Sequence, residues 1–146
     1  MPDRATRNGC ERVVGRLVEI HVDAGYRSPG DVDAMIGMLG RTLAAMTVPD
    51  EARVIIVADW RRCTILGTDT AERAAVMLAG VNPRVLRSSM LIVPDSPTAV
   101  MQALRLVKES KNPGRRLFTA PADLIAWNAE VMTPAELERV KAFLER

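Results

Sequence analysis

A short helix-opening phrase, a hydroxyl residue followed by proline, occurs three times in this chain: Ser28-Pro29, Ser96-Pro97 and Thr133-Pro134. A serine or threonine oxygen can satisfy the free N–H groups of a first helical turn, and proline is pre-set for the first helical position. Two of the three phrases stand directly after strand-like segments. The first follows a period-two stretch in which Val18, Ile20 and Val22 alternate with Glu19, His21 and Asp23. That pattern predicts a strand with one face buried and the other wet or covered by a helix. It reads as the wet edge of a sheet or as half of a hairpin with residues 11–16. Val32, Met35, Ile36, Leu39, Leu43 and Met46 then recur at helical spacing to about Thr47, and Pro49 ends the helix. The second phrase follows an apolar strand, Met90 to Val93, cut by Pro94. Val100, Met101, Leu104 and Val107 share one face of the helix it opens.

Between these units lies a strand from about Arg53 to Ala58, apolar on both faces and so destined for a sheet interior. Its helix starts near Thr68, packs Ala71, Ala74, Ala75, Met77 and Leu78, and is stopped by Gly80 and Pro83. Asn112-Pro-Gly114 turns into a short strand, Arg116 to Phe118. Thr119-Ala-Pro121 opens a helix carrying Leu124, Ile125 and Trp127. Thr133 with Glu136 forms a capping-box pattern ahead of Leu137, Val140 and Leu144. Strand–helix alternation predicts one α/β domain with a mostly parallel four- to five-stranded sheet, flanking helices and an extra C-terminal helix. Residues 1–10 read as a flexible N-terminal arm and 11–146 as the domain.

Composition narrows the function classes. Hydrophobic residues make up 48% and charged residues 26%, a globular balance, but aromatics at 3% leave the core to aliphatic side chains and Met. The net charge of +2 is too small for a nucleic-acid footprint. The arginine pairs (Arg61, Arg62; Arg84, Arg87; Arg115, Arg116) lack interleaved aromatics and read as solvated surface, so no nucleic-acid partner is expected. Two cysteines, Cys10 and Cys63, have no metal-ligand spacing. No apolar leader stretch opens the chain, and no apolar run approaches the roughly 20 residues of a membrane span. A reduced, cytoplasmic chain with no membrane insertion is the expectation. Phosphate-binding glycine motifs, nucleophile elbows and metalloprotease motifs do not occur. Gly37 and Gly40 inside the first helix pattern suggest close approach to another element.

The segment Asp59-Trp-Arg-Arg-Cys-Thr-Ile-Leu-Gly-Thr-Asp-Thr70 carries the best candidate site. Loops leaving the carboxyl ends of strands in open α/β sheets are where such folds gather ligands and partners. Asp59, Trp60, Arg61, Thr68, Asp69, Thr70 and Arg73 are the residues expected to bind a partner or to regulate. Thr68 also reads as a plain helix cap, with Asp69 and Glu72 forming a box. Trp60 is either an exposed anchor or a lid on the core. Cys63, after two arginines, is a reactive thiol or a buried apolar residue. His21 with Glu19 and Asp23 makes a crude ligand row, for which a solvated or helix-covered face is the alternative. Asp95 parallels Asp59, though turn and cap chemistry accounts for it. No catalytic set, metal or cofactor is expected.

The chain resembles the STAS superfamily, especially its SpoIIAA-like branch of anti-sigma-factor antagonists. Three segments carry the likeness: Ile20-His-Val-Asp-Ala-Gly25-Tyr-Arg-Ser28-Pro29, Arg115-Arg-Leu-Phe118-Thr-Ala-Pro121-Ala-Asp-Leu-Ile-Ala-Trp127, and 59–70 itself. In that register Asp59 is similar to the first acid of the family segment, Cys63 and Leu66 to its apolar positions, and Thr68 to the hydroxyl that some members phosphorylate. Gly67, Asp69 and Thr70 depart from the family's acid, second serine and glycine. The resemblance implies a non-catalytic regulatory domain that binds a protein partner through 59–73, with Thr68 as a phosphosite. Two other readings stand beside it. One is a small-molecule or lipid site in a cleft bounded by Asp59, Cys63, Thr68 and Asp95. The other is a structural homo-oligomer joined through Met35, Met38 and Met46.

Overall fold

The computed structural model describes residues 7–46 and 53–146. Five strands, β1 (Asn8–Arg12), β2 (Leu17–Val22), β3 (Val54–Asp59), β4 (Val85–Leu91) and β5 (Arg115–Phe118), lie side by side in chain order. β1 pairs antiparallel with β2, and every later pairing is parallel. Helices α1 (Pro29–Ala45), α2 (Thr68–Gly80) and α3 (Pro97–Glu109) fill the three crossovers, and α4 (Pro121–Ala129) and α5 (Pro134–Leu144) follow β5. Crossovers of one hand that advance in one direction leave all their helices on one face. Accordingly Val18, Ile20, Ile56 and Ala58 share a core with Met35 and Leu39 of α1, Ala74 of α2 and Ala103 of α3. The opposite face buries Leu17, Val57 and Leu91 under Leu124 of α4 and Val140, Phe143 and Leu144 of α5. β3 is buried along its whole length, as its unbroken apolar run requires.

Two boundaries, those of the N-terminal arm and of β4, and the cap of α2 differ from the sequence pattern. The N-terminal arm expected at 1–10 overlaps β1: residues 8–10 pair with β2, while residues 1–6 lie outside the described residues. Gly9 sits opposite His21, and a Cβ there would lie 2.3 Å from the imidazole Nε2, so the ring covers the place of a side chain. β4 begins at Val85 rather than Met90, because its polar residues find partners from neighbouring elements. Ser89 Oγ accepts from Asn128 Nδ2 at 2.7 Å, and Ser88 Oγ accepts from Arg115 Nε at 3.2 Å. The cap of α2 is Gly67, no side chain bonds that helix start, and the Asp69–Glu72 box does not form. The expected end of α1 at Thr47 lies outside the described residues; the helix runs to Ala45. Its glycines serve no close approach: a Cβ on Gly40 would meet nothing within 4 Å, and one on Gly37 only the Arg41 guanidinium.

Two of the hydroxyl-proline phrases work as written. Ser96 Oγ accepts from Ala99 N at 3.2 Å, and Thr133 with Glu136 closes a full capping box at the head of α5. Ser28 stands at the cap position of α1 but makes no side-chain bond there.

Candidate functional site at the carboxyl edge of the sheet

β3 delivers Asp59 at its last position, and Trp60 N donates to Leu91 O at 2.8 Å, which turns the chain across β4. Trp60 is 6% exposed and meets Tyr26 edge-on, with ring centroids 5.4 Å apart. It is the lid on the core; as a partner anchor it is out of reach. The chain then surfaces, with Arg62, Thr64, Ile65, Gly67, Thr68 and Asp69 exposed. Leu66 turns inward, and the Gln102 side chain of α3 grips its backbone, accepting from Leu66 N and donating to Leu66 O, each at 2.8 Å. Between this loop, the β4–α3 connection and α3 lies a cleft of about 440 Å³, lined by Cys63, Ile65, Ile92, Val93 and Asp95 among others. Asp59 and Thr68 do not line it, so the cleft imagined from the sequence keeps only Cys63 and Asp95 of its four residues.

Asp59 instead points to the α5 face. Its Oδ1 accepts from Arg61 N (3.1 Å) and Nε (3.0 Å), and its Oδ2 accepts from Arg61 Nη2 (2.9 Å) and Arg146 Nη2 (3.0 Å). Arg146 also forks onto Asp23 at 2.7 and 2.9 Å, and Arg61 reaches on to the Leu144 carbonyl at 2.8 Å. Desolvation pushes the Asp59 carboxyl up. The hydrogen bonds from Arg61 and the charges of Arg61 and Arg146 outweigh it and hold the group below the usual carboxylate range. Such a carboxylate is a fixed anion, poorly suited to general-base work near neutrality.

The row on β2 is helix-covered. Glu19 is gripped by Arg139 of α5, Asp23 by Arg146, and His21 Nδ1 lies 3.2 Å from Asp23 Oδ2. Among the described residues, no group of three or more His, Cys, Asp and Glu side chains could hold a metal ion. Burial pushes the Cys63 thiol up to about 11, which suits a packed side chain and not a thiolate nucleophile.

The seven site residues therefore divide. Asp59, Trp60 and Thr70 are buried, Thr68 and Asp69 are exposed, and Arg61 and Arg73 are intermediate. Arg73 pairs with Asp33 of α1. The arginine pairs are not uniformly solvated. Arg115 is 3% exposed, while Arg87 and Arg116 stack on Trp127 at 4.5 and 4.9 Å. Met35 is core, which removes it from any oligomer contact, whereas Met38 and Met46 are half-buried. Ile65, Gln102 and Arg146 were not singled out from the sequence. Ile65 could have been, as one of two adjacent large aliphatics, with Leu66, in a mostly polar loop.

Neither family models nor curated protein sequences give a match to this chain. Its class is set by the fold: one α/β domain with a five-stranded, mostly parallel sheet. Among the described residues no helix is long and apolar enough to cross a membrane.

Proposed function

We propose that this chain is a non-catalytic regulatory domain of STAS or SpoIIAA-like type, binding a protein partner through the exposed part of 59–73. One observation carries the reading. Of the six large hydrophobics exposed among the described residues, four (Ile65, Val93, Met101 and Leu104) belong to this loop, to the β4–α3 connection and to α3. Ile65 and Val93 line one cleft, and exposed apolar surface around a concavity is a common mark of a docking patch. The sheet order, with one antiparallel strand and three crossover helices on one face, is compatible with the STAS fold. Thr68, exposed at the first position of α2, is the residue through which phosphorylation would act, adding negative charge at the edge of the patch.

The test is affinity capture from native cell extract with wild type beside Ile65→Asp and Thr68→Glu. Both positions are exposed, so thermal stability should hold within about 0.5 kcal/mol. A partner held by wild type and lost by Ile65→Asp supports the reading. An identical capture profile for all three proteins overturns it. A second reading, a small-molecule site, is favoured by the 440 Å³ cleft alone, a size within the usual range for ligands. Native mass spectrometry showing the purified chain free of bound mass, before and after incubation with a metabolite extract, would count against it.

A further inference from the structure

Under the lid formed by Trp60 and Tyr26, a cavity of about 20 Å³ lies between the sheet and the helices α1 and α2. Leu39, Ile56 and Met77 give it hydrocarbon walls, and Arg115, Ser88 and Tyr26 are its polar ones. All three polar residues are buried, at 3%, 2% and 3% exposure. Arg115 Nε donates to Ser88 Oγ at 3.2 Å and Nη1 to Asn82 Oδ1 at 2.9 Å, but Nη2 has no partner. The Tyr26 hydroxyl has none either. Among the described residues no carboxylate pairs with this guanidinium, and burial alone lowers its pKa to about 10, leaving it charged at neutrality.

A buried cation without a counter-ion is strongly unfavourable, because its hydration is lost and nothing replaces it. One water molecule would fit the volume. Water would not, however, neutralise the charge. Arg115 offers only donors, and the hydroxyls of Ser88 and Tyr26 each keep a hydrogen to give. An anion accepts from all of these groups and cancels the charge in a low-dielectric setting. The volume admits a single atom and excludes phosphate, sulfate and carboxylates. We propose that this cavity is a binding site for a monatomic anion of the halide class, held by Arg115 Nη2 with the hydroxyls of Ser88 and Tyr26 in its wall.

The experiment compares unfolding of the full chain in potassium bromide and in potassium gluconate at matched ionic strength, gluconate being too large to enter. In bromide the folding equilibrium constant of wild type should grow, by up to about tenfold for each tenfold rise in concentration above the dissociation constant. The specific gain is the bromide response minus the gluconate response, which cancels general salt effects, and in Arg115→Met that difference should shrink to a small residue. Equal responses of wild type to the two salts overturn the proposal, as does a variant that keeps the wild-type difference. If Arg115→Met does not fold, anomalous diffraction from wild-type crystals grown in bromide decides. A peak within hydrogen-bond reach of Nη2 supports the site, and a water there, or nothing, overturns it.

Discussion

The two faces of the sheet are closed by different chemistry. On the α1–α3 side the strands present Val18, Ile20, Ile56 and Ala58, and the covering helices answer with aliphatic residues and Met. On the α4–α5 side the core is smaller, and much of the closure is ionic: Glu19 with Arg139, Asp59 with Arg61 and Arg146, and Glu136 with Arg16. Hydrocarbon closure is non-directional and tolerates small shifts, whereas a forked guanidinium–carboxylate contact fixes angle and register. The ionic face therefore sets where α5 sits, and with it the carboxyl edge from which the candidate docking loop emerges.

The strongest way to break this comparison is to orphan one buried charge. Glu19 is 2% exposed at its side chain, while Arg139 is 35% exposed. Arg139→Met should cost about 3 kcal/mol, because the carboxylate stays buried after its partner is gone. Replacing both residues, Glu19→Leu with Arg139→Met, should recover most of that loss. Urea unfolding of the two proteins checks it; a double variant as unstable as the single one would show that the pair does more than neutralise itself.

Acid sharpens the same contrast. Burial raises the Glu136 carboxyl, but backbone N–H groups of Thr133 and Arg16 and the Arg16 guanidinium outweigh it and hold the group below its ordinary value of 4.5. Asp59 is likewise held below 3.8. Groups whose folded pKa is depressed stabilise the fold above their unfolded pKa, and that stability is lost as pH falls through the folded values. Thermal midpoints should therefore be steady above about pH 5 and decline below it. The Glu136→Gln variant should start lower and decline less steeply, because one of the linked protons is gone. Parallel curves for the two proteins would contradict the assignment.

How far these faces could be read in advance follows from the range of the interactions. Helix starts are local: Ser96-Pro97 and the Thr133–Glu136 box are written within four residues, and both form. The apolar interior strand β3 is also plain in the sequence. β4 was only half legible, since Ser88 and Ser89 resemble loop residues until Arg115 and Asn128 are folded against them. β1 is short and contains Gly9, so its residues 8–10 passed for a loose arm, while Glu11 and Arg12 fell within the hairpin reading that the antiparallel pairing with β2 supports. A helix-covered face over Glu19, His21 and Asp23 was one of two readings, but the long-range pairs that close it were not legible. Arg139 meets Glu19 across 120 positions and Arg146 meets Asp59 across 87, and nothing in either neighbourhood announces it. At the candidate site, loop position was readable, but side-chain direction was not, and Asp59, Trp60 and Thr70 turn inward.

A stabilising change probes the outer surface of the apolar side. Gly40 is exposed inside α1, and a Cβ there would touch nothing. Gly40→Ala should raise stability by up to about 1 kcal/mol, the helix-propensity difference. The same variant examines the oligomer reading. If α1 packs tightly on a second copy, light scattering will show the assembly weakened, and the expected gain in melting temperature will not appear.

The smallest effect gives the cleanest contrast with Arg139. Arg73 on α2 also holds a carboxylate on another element, Asp33 of α1, but here both side chains are open to water, at 42% and 54% exposure. Water solvates whichever partner is left behind, and the pair loses rotamer freedom to form at all. Arg73→Met should therefore cost less than about 1 kcal/mol, and added salt should erase even that. Measured beside Arg139→Met under the same conditions, it makes one chemical change on opposite sides of one sheet. A ratio near one between the two losses would mean that desolvation of Glu19 is not what makes the α5 side demanding, and that the ionic face is ordinary surface pairing.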